Sequence, residues 1–453
     1  MKELLEIKNT KIYIKKRSFP EWIVFVILTF SFFFSFLTGV LYLPGSIRFL
    51  LDVLLVSVLI MFLANKHFIA RRKLKPFIAL VCLFLAYTAI VYLFNFQSPF
   101  YYLWGVRNNF RFYVAFFAFA IYLNEDFANG LLALLDFLFW ANAIVSLYQF
   151  FFMGIRQDYL GGVFGYSGGT NGYTLLFFII VIGKSFLKTL SGDEKISLCV
   201  FKSIVSLLLA AMAEIKFYYV VFVLLVIITF GLTTFTHKKI VLLIISIGAV
   251  FVGSILLTSL FADFQDFLSF ENLIYSATKE NYSSEGDLNR LSSIPTLMKS
   301  YVTDSHQWLF GMGLGNADLS DVSIFNSAFY QKYSFLHYAY FMIAMLFLEV
   351  GFVGIFIYIM FFVLCFLHCR KQLKHNVENK LFCQMGILMS IFCIISIFYN
   401  ASLRTEAGYM AYFVLALPFV ESAKPQGDVV ENNLKQTFES QETLVGGRRR
   451  RFR

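Results

Sequence analysis

The chain alternates between long apolar runs and short polar segments along most of its length. Apolar runs of roughly 17 to 23 residues cross a bilayer core of about 30 Å as helices. Open strands would leave backbone groups unpaired in hydrocarbon, so each crossing is predicted to be helical. Such runs lie near residues 22–43, 46–64, 76–94, 107–123, 130–152, 171–189, 197–213, 217–236, 240–260, 348–368, 381–400 and 405–420. The pattern predicts an all-α polytopic integral membrane protein with about 12 transmembrane helices.

One polar segment, residues 261–334, is much longer than the others. It divides the chain into four predicted regions. Residues 1–260 hold nine transmembrane helices, 261–347 form an extracytoplasmic loop with site elements and an interfacial helix, and 348–420 hold the last three helices. Residues 421–453 are predicted to be a disordered basic tail.

Composition and charge also indicate a membrane protein. The sequence is 59% hydrophobic and 15% charged, with a mean hydropathy of +0.71, outside the range of soluble domains. Of the 38 Lys and Arg residues, 27 lie in segments that are cytoplasmic if the N-terminal segment is inside. This bias predicts cytoplasmic termini and an extracytoplasmic large loop. It accounts for the net charge of +10 by lipid orientation, without nucleic acid as a partner.

Cations on the predicted outer face are exceptions to this bias and are therefore candidate binding residues. Five lie in the loop or where a loop meets a helix: Arg107, Arg111, Lys216, Arg290 and Arg404. If they converge, they suit a diphosphate, because guanidinium matches phosphate oxygens and ammonium acts as a point charge. Structural roles are also open, since Arg111 can reach to the membrane surface and Arg404 can pair with Glu406.

Three further polar residues are candidates because of where they lie. Glu214 precedes Lys216 in the short turn "AAMAEIKFYY", as its partner or as a ligand-holding group. His337 lies near the start of the apolar run from Ser334 to His368, whose 35 residues predict a short interfacial or re-entrant helix before the crossing. A neutral imidazole there can take a proton from an acceptor hydroxyl, or simply bond a backbone carbonyl. Glu349 can orient His337 or Arg290, or lie protonated in the interior.

Two other motifs are weaker evidence for a functional site. "GMGLGN" is not preceded by a predicted strand, so it indicates a turn with close backbone approach rather than a dinucleotide site. "CFLHCRKQLKH" contains Cys365, His368, Cys369 and His375 but lacks a second cysteine pair at zinc spacing. No metal and no cofactor are predicted.

The order of these motifs resembles the O-antigen polymerase and ligase superfamily. The matching features are Arg290 in "GDLNRL", "GMGLGN" at 311–316, His337 in "SFLHYAY" and "LEVGFVG" at 348–354. The segment "GGVFGYSGGTNGYTLLFF" (161–178) is similar to the turn before a mid-chain span in that family. The resemblance covers roughly residues 160–400, and the first 150 residues resemble the family only in hydropathy.

The resemblance implies a glycosyltransferase of the bacterial cytoplasmic (inner) membrane that uses an undecaprenyl-diphosphate-linked glycan as donor. Arg290 would hold the diphosphate and His337 would act as base on the acceptor. The sequence departs from the family at Tyr338, where Asn is common, and in the spacing from His337 to Glu349, which is longer than usual; Lys216 stands where many members have Arg.

The expected activity is polymerisation of lipid-linked repeat units into O-antigen, capsule or exopolysaccharide. Ligation of the glycan to lipid A core is the first alternative. A lipid-linked oligosaccharide transporter or flippase is the second, although transporters usually show paired halves and this chain is lopsided. Expected partners are the lipid-linked glycan, the bilayer, and the chain-length regulator and flippase of the same pathway.

Overall fold

The computed structural model describes residues 19–64, 73–166, 168–233, 237–260, 279, 287–320, 322–375 and 379–420. The predicted tail, 421–453, lies outside the described residues, as does the loop from 261 to 286 apart from Lys279. Within the described part all regular elements are helical, which confirms the all-α class. The α-helices are α1 (Phe19–Gly39), α2 (Arg48–Ala64), α3 (Lys75–Phe94), α4 (Pro99–Tyr122), α5 (Glu125–Phe151), α6 (Thr170–Ser191), α7 (Ile196–Met212), α8 (Lys216–Gly231), α9 (His237–Leu260), α10 (Ser293–Ser300), α11 (Ser305–Phe310), α12 (Ala328–Tyr333), α13 (Met342–Lys374), α14 (Lys380–Tyr399) and α15 (Gly408–Ala416).

Every predicted apolar run falls on one of these helices, although several bounds differ. In the described residues, seven helices are long and apolar enough to cross a membrane: α1, α2 with the turn before it, α3, α5, α6, α13 and α14. The helices α7, α8, α15 and the middle of α9 are apolar but shorter. The chain is therefore an all-α membrane protein, and a total of about twelve crossings stays a prediction.

The helices differ in how much of their surface the protein itself covers. In the apolar window of α6, 89% of the residues are buried, and in that of α14, 72%. The corresponding fractions for α2 and α3 are only 17% and 22%. Helices that are apolar on all sides are stable either in a core or in lipid. We therefore place α6 and α14 at the centre of the bundle and α2 and α3 at its lipid-facing edge.

The helix α13 is interrupted at Gly351, whose φ of 61° and ψ of −170° are not helical. Such a break removes the helical donors of the preceding carbonyls, which need other partners inside the bundle. Backbone amides of the glycine-rich turn supply them: Met312 donates to Leu348 O (2.8 Å) and Gly313 donates to Glu349 O (3.0 Å). The sequence predicted a short helix ahead of the crossing, and the break leaves a short helical part, residues 342–350, before the longer one; its place at the membrane surface stays a prediction.

The "GMGLGN" turn approaches neighbouring backbone closely, as the sequence predicted. Gly311, Gly313 and Gly315 all have positive φ (79°, 101° and 87°), a conformation that glycine adopts without steric cost. A Cβ on Gly315 would lie 1.9 Å from the carbonyl oxygen of Tyr101 in α4. The turn therefore joins α4 to the break in α13, with no room for a side chain at Gly315.

Candidate functional site

His337 lies between two short 3₁₀ turns and contacts a carboxylate of the large loop. Its Nδ1 is hydrogen-bonded to Asp287 Oδ1. The two side chains are 42% and 26% exposed, so the pair is open to a ligand from outside. The sequence offered a backbone carbonyl as the alternative partner, and the structure gives a carboxylate instead.

Backbone geometry holds this pair in place. The amide of Leu288, next to Asp287, donates to the carbonyl of Leu336, next to His337 (3.1 Å). His337 itself is in the left-handed region (φ 49°), which is unusual for a non-glycine residue and is maintained by its surroundings. The imidazole also stacks on the ring of Tyr340, with centres 5.1 Å apart and planes 9° apart.

Arg290 follows Asp287 by three residues and reaches the end of α14. Its Nε donates to the carbonyl oxygen of Tyr399 (3.2 Å), and its guanidinium carbon lies 5.0 Å from the centre of the Tyr399 ring. The guanidinium also lies 5.6 Å from the ring centre of Phe341. Arg290 is exposed, and in the described part of the chain no carboxylate lies at ion-pair distance from it. Its guanidinium can therefore accept an anionic ligand.

The helix that begins at Lys216 contacts the same tyrosine through its second residue. Phe217 stacks on the Tyr399 ring, with centres 4.1 Å apart and planes 18° apart. Lys216 Nζ forms an ion pair with Glu214 (2.9 Å), and both side chains are about one-quarter exposed, at 24% and 22%. Glu214 is thus an ion-pair partner of Lys216, one of the two roles that the sequence left open.

Asp158 completes this group, and sequence reasoning did not identify it. Its Oδ1 accepts a hydrogen bond from Asn171 Nδ2 at the start of α6. Partial burial of the carboxyl raises the pKa of Asp158 and nearby Glu214 raises it further, whereas Arg290 and Lys216 act to lower it. The four charged side chains are therefore close enough to influence one another.

We call Asp158, Glu214, Lys216, Arg290 and Tyr399 the Tyr399 cluster. Its members come from the loop before α6, the turn before α8, the large loop and the end of α14. The His337–Asp287 pair lies next to it, because Asp287 and Arg290 belong to one short segment. The site candidates Arg290, Lys216, Glu214 and His337 are therefore brought together.

Arg404 lies in a different environment. Its Nη2 contacts Asp318 Oδ2 at 2.8 Å and its Nη1 lies 3.4 Å from Glu349 Oε2. The Arg404 and Asp318 side chains are each 8% exposed and Glu349 is fully buried. Glu349 also accepts from the Gly315 amide (3.0 Å). Arg404 therefore pairs with Asp318 and Glu349, not with Glu406 as the sequence allowed.

Arg107 and Arg111 are also held by carboxylates of the chain. Arg107 Nη2 contacts Asp52 Oδ2 at 2.8 Å, and Arg111 Nη1 contacts Glu406 Oε1 at 3.1 Å. We call the Arg111–Glu406 pair, with Arg404, Asp318 and Glu349, the buried ion-pair cluster; the Arg107–Asp52 pair is only partly buried, with side chains 18% and 21% exposed. Glu349 belongs to it through Arg404, and it does not contact His337 or Arg290 as the sequence suggested it could.

The comparisons with known proteins give no guide to this site. No protein-family model, curated protein or solved structure matches the chain. Across the described residues, no group of three or more His, Cys, Asp or Glu side chains is arranged to hold a metal ion. The function therefore has to be argued from the two clusters themselves.

Proposed function

We propose that this membrane protein is a glycosyltransferase that polymerises undecaprenyl-diphosphate-linked repeat units into a surface polysaccharide. One observation carries the proposal: Arg290 contacts Tyr399, and Lys216, 74 positions away in the sequence, precedes Phe217, which stacks on the same ring, beside the His337–Asp287 pair. Transfer of a sugar from a lipid diphosphate to a hydroxyl needs positive charge near the leaving diphosphate and a base for the acceptor proton. Two cations and an imidazole can supply both.

The cations suit the leaving group. Arg290 has an exposed fork of N–H donors that matches phosphate oxygens, and Lys216 adds a flexible point charge. Departure of a diphosphate develops negative charge, and fixed cations next to it stabilise the transition state. Lys216 is paired with Glu214 in a partly exposed ion pair, which solvent screens, so that its contribution is on the order of 1 kcal/mol and a ligand anion can replace the carboxylate.

Ligation and transport remain the competing functions. A ligase would use the same donor chemistry with a different acceptor, so the product has to separate the two. A transporter would use a discontinuous helix around a midplane site. The break in α13 is instead filled by the "GMGLGN" turn, and the freed carbonyls are bonded to it. That packing favours an enzyme over a carrier.

Deleting the gene and restoring it with variants tests the proposal. The strain is complemented with wild type, His337→Gln, Arg290→Ala or Lys216→Ala, and surface glycan is resolved on a gel. The polymerase proposal expects single repeat units without a ladder from the deletion and from the His337 and Arg290 variants. Lys216→Ala should give a weaker ladder of shorter chains.

Two control variants remove the same kinds of side chain outside the proposed site. His306→Gln removes the other histidine of the described loop, and Lys332→Ala removes an exposed lysine that contacts the Tyr333 ring. Both should restore the full ladder. A ladder that accumulates on the carrier lipid in the deletion strain would indicate a ligase. An unchanged glycan in the deletion strain would refute both readings.

A further inference from the structure

We propose that Asp287 is the positioning residue of this site: it holds the His337 imidazole with its proton on Nδ1, so that Nε2 faces the acceptor as the base. The inference rests on the proposed glycosyl transfer and assigns a role to a residue outside the predicted site. It follows from the contact between the two side chains and from the backbone that fixes them.

The chemistry of the contact determines where the proton lies. An ionised carboxylate only accepts hydrogen bonds, so the nitrogen that contacts Asp287 has to be the donor. In neutral imidazole one nitrogen donates and the other carries a lone pair. With the proton on Nδ1, the lone pair is on Nε2. The orientation of a histidine base by its second nitrogen is a general device in enzymes.

The surrounding structure favours this role over an incidental surface contact. The Leu288–Leu336 hydrogen bond fixes the two segments next to the pair. The left-handed backbone of His337 and the stack on Tyr340 restrict the imidazole further. A left-handed non-glycine residue costs of order 1–3 kcal/mol and persists only where its environment imposes it. The imidazole is thus presented in one orientation while 42% of its side chain stays exposed.

The proposed glycosyl transfer is a displacement at the anomeric carbon of the donor sugar. The Nε2 lone pair of His337 takes the proton of the acceptor hydroxyl as the acceptor oxygen bonds to the anomeric carbon of the donor sugar. The bond from that carbon to the phosphate oxygen breaks, and its electron pair leaves with the lipid diphosphate beside Arg290. The imidazolium that forms is stabilised by Asp287 and then loses its Nε2 proton to water. Nothing is oxidised or reduced.

The first test reads the tautomer directly in the full-length protein. Nitrogen-15 histidine labelling gives one set of ring signals per histidine, and the His337→Gln variant identifies those of His337. In wild type at a pH where the ring is neutral, we expect the proton on Nδ1. Asp287→Asn should shift the population toward the proton on Nε2, because the carboxamide can donate to Nδ1. A wild-type ring with its proton on Nε2 would overturn the inference, and this readout needs no variant of Asp287 to fold.

The second test uses transfer from purified lipid-linked repeat units. Asp287→Asn should lower kcat by about 10²–10⁴-fold, the usual contribution of a general base, and leave KM for the donor unchanged. Asp287→Glu, which restores a carboxylate, should recover part of the rate. The control is Asp304→Asn in the same loop, where Asn still caps α11.

The outcomes distinguish this inference from the function on which it depends. Wild-type turnover by folded Asp287→Asn protein would reject the role of Asp287 and leave the glycosyltransferase proposal standing. A wild-type protein that transfers no glycan from any lipid diphosphate would reject the proposed function, and the catalytic meaning of the pair with it.

Discussion

Replacing Arg404 tests whether the buried ion-pair cluster is structural or binds the donor. The sequence made Arg404 a candidate for the diphosphate, whereas the structure pairs it with Asp318 at 2.8 Å and Glu349 at 3.4 Å. The change to make is Arg404→Gln, which keeps a polar side chain of similar length but removes the charge. A structural role predicts a loss of stability, and a binding role predicts a loss of donor affinity.

The burial of the three side chains sets the size of the effect. Arg404 and Asp318 are each 8% exposed and Glu349 is 0% exposed. Removing one partner of a buried pair costs about 3–5 kcal/mol, because an uncompensated charge stays behind. Here two carboxylates lose their shared cation, so we expect the upper part of that range. This is a large fraction of the roughly 5–15 kcal/mol by which native proteins are stable.

The assay is unfolding of purified protein in mixed micelles with increasing SDS, followed by tryptophan fluorescence. Arg404→Gln should unfold at a much lower SDS fraction than wild type. Adding Asp318→Asn and Glu349→Gln should restore part of the loss, with a coupling of about 0.5–3 kcal/mol, since the stranded charges are removed. The control, Lys332→Ala at an exposed site, should stay within about 0.5 kcal/mol of wild type.

Measuring the binding of inorganic pyrophosphate to Arg404→Gln can contradict the structural role. If Arg404→Gln unfolds like wild type but binds pyrophosphate much more weakly, the cation acts on the ligand and the structural reasoning is wrong. If stability falls and the remaining folded protein binds pyrophosphate normally, the buried ion-pair cluster is part of the scaffold.

Three further predictions follow from single contacts. Gly315→Ala should prevent accumulation of folded protein, because the new Cβ would lie 1.9 Å from a carbonyl oxygen, whereas Gly130→Ala, with nothing within 4 Å, should accumulate normally in the same membrane-fraction assay. Glu214→Gln removes the carboxylate that competes with a ligand anion for Lys216 and should tighten pyrophosphate binding up to about fivefold in calorimetry; unchanged affinity would contradict this. The raised pKa of Asp158 means that its ionised form destabilises the folded protein, so stability from this group rises as pH falls through the raised pKa toward 3.8. Asp158→Asn should therefore raise the melting temperature at pH 7 and remove this contribution to its pH dependence; a lower melting temperature at pH 7 would count against it.

Most of the helical architecture could be predicted because hydropathy and helix geometry are local properties. Each apolar run corresponds to a helix, since lipid and core both require internally bonded backbone. The division of α13 could not be predicted in the same way. Gly351 is one of several glycines in apolar runs, and its break depends on a turn some 35 positions away that supplies the missing donors.

The candidate site could be predicted only in part, because a rule about charge and topology selects residues without giving their partners. It selected Arg290, Lys216 and His337, which lie in neighbouring parts of the structure: Arg290 and Lys216 both act on Asp158, and His337 contacts Asp287, three residues before Arg290. It missed Asp287 and Tyr399, since a loop aspartate and an interfacial tyrosine carry no signal of their own. Both become visible only when distant segments are placed side by side.

The rule also missed charges that lie within a predicted crossing. Lys202 is in the run at 197–213, where it pairs with Glu194 (3.2 Å) and lies 3.4 Å from Asp136. Lys184 is buried nearby and contacts the same aspartate. A hydropathy average over the run hides one lysine among apolar neighbours, although such a lysine has to find carboxylates when the helices pack.

The two clusters differ in what a ligand would have to displace, and this difference supports the choice of site. A diphosphate that binds Arg404 would first have to separate it from buried carboxylates, at a cost of about 3–5 kcal/mol before any gain. Arg290 is exposed and its Nε is bonded to a backbone carbonyl, so a ligand there does not have to separate a buried ion pair among the described residues. Lys216 lies between these cases, because its exposed pair with Glu214 is weak. This comparison of costs therefore favours the cations near His337, rather than Arg404, as the proposed site for an anion.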